Sequence, residues 1–423
     1  MLPASDTVTG ELQKMGESLL EQLGNLSDED WGGSNPLSLS FRDNPYPGLQ
    51  KLRETDPINQ TPLGVWRLTR YADITDVLKS SSVSMTLADG SSPSFDPLDT
   101  KGDFHNFMLN MDGNEHLRLR RLVIKAFTGN AIKMMQTAID EAVGQAITKG
   151  LADGGMDICD DLAVDLPSRM ICRIMGIPDS DRLIFQKWAG ERTKAFWAKF
   201  LPESEQLKVR EAGKELANYF EDLVKVRRAS MKNDLISELI RAEDEGDRLK
   251  EGELVIQAIG LLVAAYETTT GLIGNGLLAF IKHPSQITLL HSEPSLIDNA
   301  VDECLRYDTP ILFNWRVLEN PLSVGGKQLP KDSVLWLMLG AGNRDPARFS
   351  DPDKFDITRS DRGHLSFGGG SHYCLGNQFA RMEGKTAIRE FLTRVPNIKL
   401  REEKIEWSNS FFRVLSKLPV EFT

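Results

Sequence analysis

The sequence predicts a mainly α-helical chain with a minor β region, and three observations carry that prediction. Helical periodicity dominates from residue 116 to 307 and returns after residue 376. Strand-like runs are short and fall near the front of the chain, over 313–338 and at the tail. No internal repeat or flexible linker divides the 423 residues. Length alone would allow two or three domains. The patterning reads more simply as one large helical domain over 36–423, preceded by a polar, peripheral segment over 1–35.

Taken in order, Asp56-Pro-Ile and Gly64-Val-Trp-Arg-Leu-Thr69 suggest short strands, and Tyr71-Ala-Asp-Ile-Thr-Asp-Val-Leu78 begins a helix with Thr69 as its cap. A loop rich in Ser, Gly, Asp and Pro runs from about 79 to 103, ending in Phe104, Phe107 and Met108. Helices follow over 116–150, 157–175, 180–196, 205–229, 231–282 in pieces, and 284–307. Strands are expected at 313–317, 322–329 and 333–338, then a helix to about 392 and a hairpin-like tail over 405–422. Phe185, Trp188, Phe196, Trp197 and Phe200 read as core for the most part, with a lid over an apolar substrate as the alternative.

Composition narrows the function classes. With 40% apolar and 26% charged residues the chain is an ordinary globular protein. Its net charge of −11 argues against a nucleic-acid partner. Four scattered cysteines make no disulfide framework and fit a reducing cytoplasm. The first residues lack a basic leader followed by an apolar run, so neither a signal peptide nor a membrane anchor is expected. The apolar stretch at 258–265 is too brief to span a bilayer and reads as a buried helix.

The chemistry concentrates in Phe367-Gly-Gly-Gly-Ser-His-Tyr-Cys374-Leu-Gly376. Four glycines around one cysteine permit unusual backbone angles and close approach of a flat ligand. A helix starting just after Cys374 would aim backbone N–H groups at the sulfur and favour thiolate. Neither nucleotide-binding glycine pattern is matched, and Cys159, Cys172 and Cys304 are too distant in sequence for a local zinc site. A single buried thiolate in a tight loop suits an axial ligand to haem iron, where its electron donation favours O–O cleavage. A buried, inert cysteine is the bland alternative.

Leu262-Val-Ala-Ala265-Tyr-Glu267-Thr268-Thr-Thr270 is unusual within a helix, because hydroxyls of consecutive threonines compete for backbone carbonyls. It reads either as a locally bent core helix with a satisfied Glu–Thr pair, or as a proton relay in which Thr268 positions water and oxygen and Glu267 feeds protons. Glu303 and Arg306 stand at i,i+3, spaced for a helix-face ion pair. Arg316 follows in a strand-like run, where its forked donors could reach an anionic cofactor edge. His116 and Arg120 share a helix face and could pair with cofactor carboxylates. Arg118, Arg121 and Lys125 lie to the side, available to an acidic partner. Asn343-Arg344-Asp345-Pro346-Ala-Arg-Phe349 reads as a turn whose charges brace neighbouring elements.

In this order the segments closely resemble the cytochrome P450 haem-thiolate monooxygenases in their soluble bacterial form. Phe367 to Gly376 matches the family pattern Phe-Gly-x-Gly-x-His-x-Cys-x-Gly without a break, and Ala380, Arg381 and Glu383 continue its helix. Glu303 and Arg306 match the Glu-x-x-Arg pair, Ala264-Ala265-Tyr266-Glu267-Thr268 the oxygen-activation segment, and His116-x-x-x-Arg120 a propionate-binding pattern. Arg316 and His372 fall where the family contacts propionates. Ala265 departs from the common glycine, and Tyr266 from a small residue or histidine.

The resemblance extends from about residue 40 to the end. It implies a triangular, mainly helical prism holding haem b (iron protoporphyrin IX) with Cys374 on the iron. Contacts to the cofactor are then expected from His116, Arg120, Ala264, Arg316, Phe367, His372, Cys374 and Gly376, and catalytic roles from Glu267 and Thr268. It further implies insertion of one atom of O2 into a mostly hydrophobic small molecule by hydroxylation or epoxidation. Electrons would come from an acidic ferredoxin and its NAD(P)H-dependent reductase. The alternatives are oxidative coupling or cyclisation, or a non-catalytic haem protein. A monomer without membrane or nucleic-acid partners is expected. Phe107, Ala265, Ile311 and Phe411 are the candidate substrate contacts, within segments near 84–109, 180–205, 258–265, 311–314 and 410–412.

Overall fold

The structure is a computed structural model, and it describes residues 27–36, 38–93, 106–126, 129–244, 252–395 and 397–422. Most of the segment expected to be peripheral, together with Phe104, lies outside the described residues. Within the part that is described, 27–35, Ser27, Glu29, Asp30 and Gly33 are exposed, while Trp31, Ser34 and Asn35 are buried. Trp31 is buried, stacks on Trp336 at 6.2 Å, and accepts a hydrogen bond from Arg67 through its carbonyl. An indole of that size gains too much from leaving water to remain outside the core.

The front of the chain forms α1 (Leu39–Asp43), α2 (Tyr46–Thr55), β1 (Ile58–Gln60), β2 (Trp66–Leu68), α3 (Tyr71–Lys79) and β3 (Val83–Ser84). Thr69 does not cap α3. Its hydroxyl bonds to the Pro57 carbonyl, and the exposed amide of Tyr71 donates instead to the Asp345 carboxylate at 2.8 Å. A carboxylate at a helix start satisfies an orphan amide and meets the positive dipole end. The turn at Asn343–Phe349 thus braces α3, as its charges suggested.

Next come α4 (Gly113–Ala126), α5 (Gly129–Asp153), β4 (Gly155–Asp157), α6 (Asp165–Met175), α7 (Arg182–Thr193), α8 (Glu203–Ala229), α9 (Leu235–Asp244) and α10 (Glu253–Lys282). α10 is long and apolar enough to cross a membrane by length and composition, but it is buried on nearly all sides within the protein. It packs on α6, α7 and α8 on one side and on the last long helix on the other. Helices hydrophobic all round belong in a core of this kind.

The remainder comprises α11 (Pro284–Ser292), α12 (Ile297–Tyr307), β5 (Asn314–Leu318), β6 (Leu322–Val324), β7 (Lys327–Leu329), β8 (Val334–Leu337), α13 (Leu339–Gly342) and α14 (Asn377–Arg394). β9 (Ile398–Leu400), β10 (Glu406–Trp407), β11 (Leu415–Lys417) and β12 (Pro419–Phe422) close the chain. α12 buries Ile297, Ala300, Val301, Cys304 and Leu305, the spacing of one helix face. The main sheet runs β1-β2-β8-β5-β3, parallel only at β2/β8. The single strand expected over 322–329 is instead the hairpin β6/β7. Gly325 and Gly326 turn it at φ +53° and +83°, a backbone pair that favours glycine. One core cluster lies above α10 around Phe185, Phe220 and Ile259, and a second below it around Ile139, Phe280 and Phe391.

Candidate functional site

The Cys374 loop is shaped by its neighbours. Gly370 stands at φ +65°, and a Cβ there would lie 2.0 Å from the Leu78 carbonyl oxygen. Glycine is required by contact as well as by angle. The Cys374 amide donates to the Phe367 carbonyl at 2.9 Å, the Asn377 side chain donates to the Cys374 carbonyl at 2.8 Å, and α14 begins three residues after the thiol. The Gly376 amide, Arg120 and Arg381 all favour the thiolate, as a helix start should, yet burial outweighs them and the thiol is pushed up. The sequence expectation therefore holds for the direction of the local field but not for the net effect. A bound metal cation would supply the missing stabilisation.

Across a cavity of about 250 Å³ from Cys374 lies one face of α10, contributing Leu261, Ala264, Ala265 and Thr268. The Thr268 hydroxyl donates to the Ala264 carbonyl at 2.7 Å and Thr270 to that of Tyr266 at 3.1 Å, the back-bonding its sequence suggested. Phe107, Ile311 and Phe411 line the same cavity, as do Phe367, Gly376 and His372. Phe107 fits because Gly260 leaves room: a Cβ at 260 would meet its ring at 2.2 Å.

Glu267 turns elsewhere. Ser410 donates to its carboxylate at 2.5 Å, and burial raises its pKa above the ordinary 4.5 against the opposing pull of Ser410, Thr193 and Lys194. It is not among the residues lining the cavity that holds Thr268. The two members of the expected relay are adjacent in sequence but face different surroundings.

At one edge of the cavity the positive groups gather. His116 and His372 stack at 4.1 Å. His372 Nε2 pairs with Asp112 at 3.0 Å, and its buried Nδ1 has no partner. Arg120 donates to the Tyr373 carbonyl at 2.6 Å, and buried Arg316 donates to the Trp315 carbonyl at 2.6 Å. Neither arginine has a carboxylate within 4 Å among the described residues. Burial, followed by the neighbouring His372 and Arg120, lowers the His116 pKa to about 4, and burial lowers that of Arg316 to about 10. Asp112 works in the opposite sense. Burial alone would raise its pKa, but hydrogen bonds from His372, Met85 and Ser84 hold it below the ordinary value.

An unpartnered ring nitrogen, two arginines short of anions and a lone thiol across one cavity fit a flat, dianionic metal cofactor with a single thiol ligand. Haem is such a group. Arg316 is not among the residues lining the cavity; it donates to Met85, Asn314 and Trp315, which are, and its charge bears on His116.

Glu303 and Arg306 lie outside the cavity and support it. Their pair is fully buried, with bonds of 2.7 and 2.8 Å. Arg306 also donates to the carbonyls of Asn343, Pro352 and Lys354. Asn343 in turn holds the Leu365 amide and the Ser366 hydroxyl, next to Phe367. Arg118 is not a free outward cation, because it pairs with Glu115 and Glu253 at 2.8 Å each. Arg121 is exposed, while the side chain of Lys125 lies outside the described residues, as does that of Trp197. Sequence reasoning missed Asp112, and it placed Ser410 only in a substrate segment, not as the partner of Glu267. Both are common residues in turns, and only the folded chain brings them to the site.

Residues 184–406 match the family model described as Cytochrome P450. The chain is 35% identical over 393 residues to a vitamin D(3) 25-hydroxylase of Pseudonocardia autotrophica, covering 91% of this chain and 95% of that one. It is 34% identical over 400 residues to the 6-deoxyerythronolide B hydroxylase of Saccharopolyspora erythraea, covering 90% and 96%. Among solved structures it resembles P450BioI, seen with an acyl carrier protein bearing hexadec-9Z-enoic acid. The TM-score is 0.84 and the identity 33%, covering 90% of this chain and 100% of that one.

Proposed function

Because this chain belongs to the cytochrome P450 family, and is thus a haem-dependent monooxygenase, we propose that it inserts one oxygen atom from O2 into a mostly hydrophobic small molecule. The observation that carries this reading is the cavity itself, walled by the Cys374 loop on one side and the Thr268 face of α10 on the other. When bound, haem supplies oxygen activation and delivery of one atom to a C–H bond or double bond. Cys374 would be its protein ligand. His116, Arg120, Arg316 and His372 would hold its two carboxylates, His372 through its unpartnered Nδ1. Phe367, Gly376 and Ala264 would lie against its faces.

Thr268 carries a hydroxyl inside the cavity, where it can orient a proton, and Glu267 is the adjoining acid. A carboxyl whose pKa is raised by burial keeps its proton to higher pH than an exposed one. Phe107, Ala265, Ile311 and Phe411 form an apolar lining consistent with a hydrophobic substrate. Relatives named for hydroxylation of vitamin D(3) and of 6-deoxyerythronolide B favour hydroxylation here.

Residues 36–423 are proposed to act as one haem-binding domain, with packing that extends forward to Trp31. Electrons are proposed to arrive from a separate acidic ferredoxin and NAD(P)H-dependent reductase. The exposed face of α4, with Leu117, Arg121 and Ile124, supports a docking site there. A monomeric, cytoplasmic enzyme completes the proposal.

Two measurements test it. Substrates should shift the ferric Soret band to shorter wavelength, and Thr268→Ala should release more peroxide per product formed. Coupling of NADPH use to product that is unchanged in Thr268→Ala would refute its role.

A further inference from the structure

A second cavity of about 210 Å³ lies behind the first, between α1, the turn at Lys194–Phe200 and the tail. Its lining differs from that of the haem cavity, with Arg42, Lys194, Ser408, Asn409, Ser410 and Arg413 contributing polar groups. Phe313, Phe411 and Phe412 line both cavities and wall one from the other. Phe411 packs edge-on against Phe313 and Phe412 at 5.3 Å each. An aromatic wall of this kind carries no protons. The bond between Glu267 and Ser410 is a polar link from α10 to the far side of it, while Thr268, the next residue, stands in the haem cavity.

We propose that Ser410 is a positioning residue for oxygen activation, coupling Glu267 to the second cavity as the source of protons. The proposal rests on the Glu267–Thr268 reading given above. Ser410 has the geometry for it. Its hydroxyl donates to Glu267 at 2.5 Å and accepts from the Phe412 amide at 3.1 Å. A hydroxyl has two lone pairs, so one is left to take a proton from the cavity. A hydronium ion entering the cavity from solvent gives up one O–H bond and leaves as water. An O–H bond forms at Ser410 Oγ and the serine's original proton passes to Glu267 Oε2, with no change in electron count. Glu267 then turns towards Thr268 and delivers that proton.

Two protons are consumed per turnover with the two electrons of the redox partners, leaving one oxygen atom in product and one in water. The groups facing Glu267 are Ser410 from the tail, Thr193 and Lys194 from α7 and the turn after it, and Tyr266 on its own helix. The Lys194 ammonium is held at 2.9 Å by both Glu191 and Glu205. It still favours ionised Glu267, but burial outweighs it and the carboxyl is pushed up.

The test compares Ser410→Ala, Ser410→Gly, Ser410→Thr and Glu267→Gln in the haem-loaded protein. The infrared carbonyl band of protonated Glu267 is identified by its loss in Glu267→Gln. In Ser410→Ala that band should move to higher wavenumber in the resting enzyme. The ratio of product to peroxide should fall by roughly tenfold, less than the ~10²–10⁴-fold of a directly acting acid or base because Ser410 acts through Glu267, and the solvent isotope effect should rise. Ser410→Thr should restore all three, while Ser410→Gly, a second variant without the hydroxyl, should repeat the loss. If band, ratio and isotope effect are all unmoved in both hydroxyl-free variants while Glu267→Gln is impaired, the role of Ser410 is overturned. Unimpaired coupling in Glu267→Gln would instead overturn the relay reading, and the role of Ser410 with it.

Discussion

Glu303→Ala offers a sharp test of how the thiol loop is supported. Glu303 accepts two bonds from Arg306, another from the Asp356 amide at 2.9 Å, and lies 3.3 Å from Arg359. Removing the carboxylate leaves a buried guanidinium with only its three carbonyl partners. Breaking one side of a buried pair costs about 3–5 kcal/mol, and an orphaned amide lies within about 1–3 kcal/mol more. Some of this overlaps, since Arg306 keeps its carbonyls, so a loss of about 4 kcal/mol is expected. That is a large share of a typical stability of about 5–15 kcal/mol.

The control is Asp222→Ala, which breaks the Lys225–Asp222 pair at the same i,i+3 spacing. Those side chains are 73% and 77% exposed, and such pairs contribute little. Urea titration followed by far-UV circular dichroism, with the reduced carbon monoxide band as a reporter of the loop, should show a much lower midpoint for Glu303→Ala alone. The band should be lost before the helices unfold, because Arg306 reaches the loop through Asn343, Leu365 and Ser366. Equal midpoints for the two variants would refute the reasoning.

Cys374→Ser should abolish the thiolate-type reduced carbon monoxide band, and its retention would exclude Cys374 as the ligand. Gly370→Ala should lower haem retention and thermal stability, since its Cβ has nowhere to go beside Leu78; retention equal to the parent would contradict that contact. Glu267→Gln should alter the pH dependence of stability. The folded carboxyl is raised above its ordinary 4.5, so above that pH the unfolded chain ionises first and binds fewer protons. Stability of the parent then falls as pH rises through this window. Thermal melts should show no advantage of the variant below about pH 4.5 and a growing one above it, and a constant difference would refute the assignment.

The helices were legible because their periodicity is strong. α12 announces its buried face, and the run at 258–265 lies within α10. Short strands were harder, since a few residues cannot distinguish one strand from a hairpin. The 322–329 run became β6 and β7 only through the backbone angles of Gly325 and Gly326. Thr69 lost the cap of α3 to Asp345, a residue 274 positions from the Tyr71 amide it receives, which local pattern could not bring into view.

By itself the sequence determined the chemistry. Spacing within one segment fixes what a tight loop, a helix face or an i,i+4 pair can present, and Phe367–Gly376, Glu303–Arg306 and His116–Arg120 are all local. The surroundings of those residues were decided only by tertiary structure. Burial turns the net shift at Cys374 upward against its helix start, and the fold directs Glu267 to Ser410 while Thr268 faces the haem cavity. Desolvation and partner choice depend on every element packed around a group, and no single stretch of chain contains them.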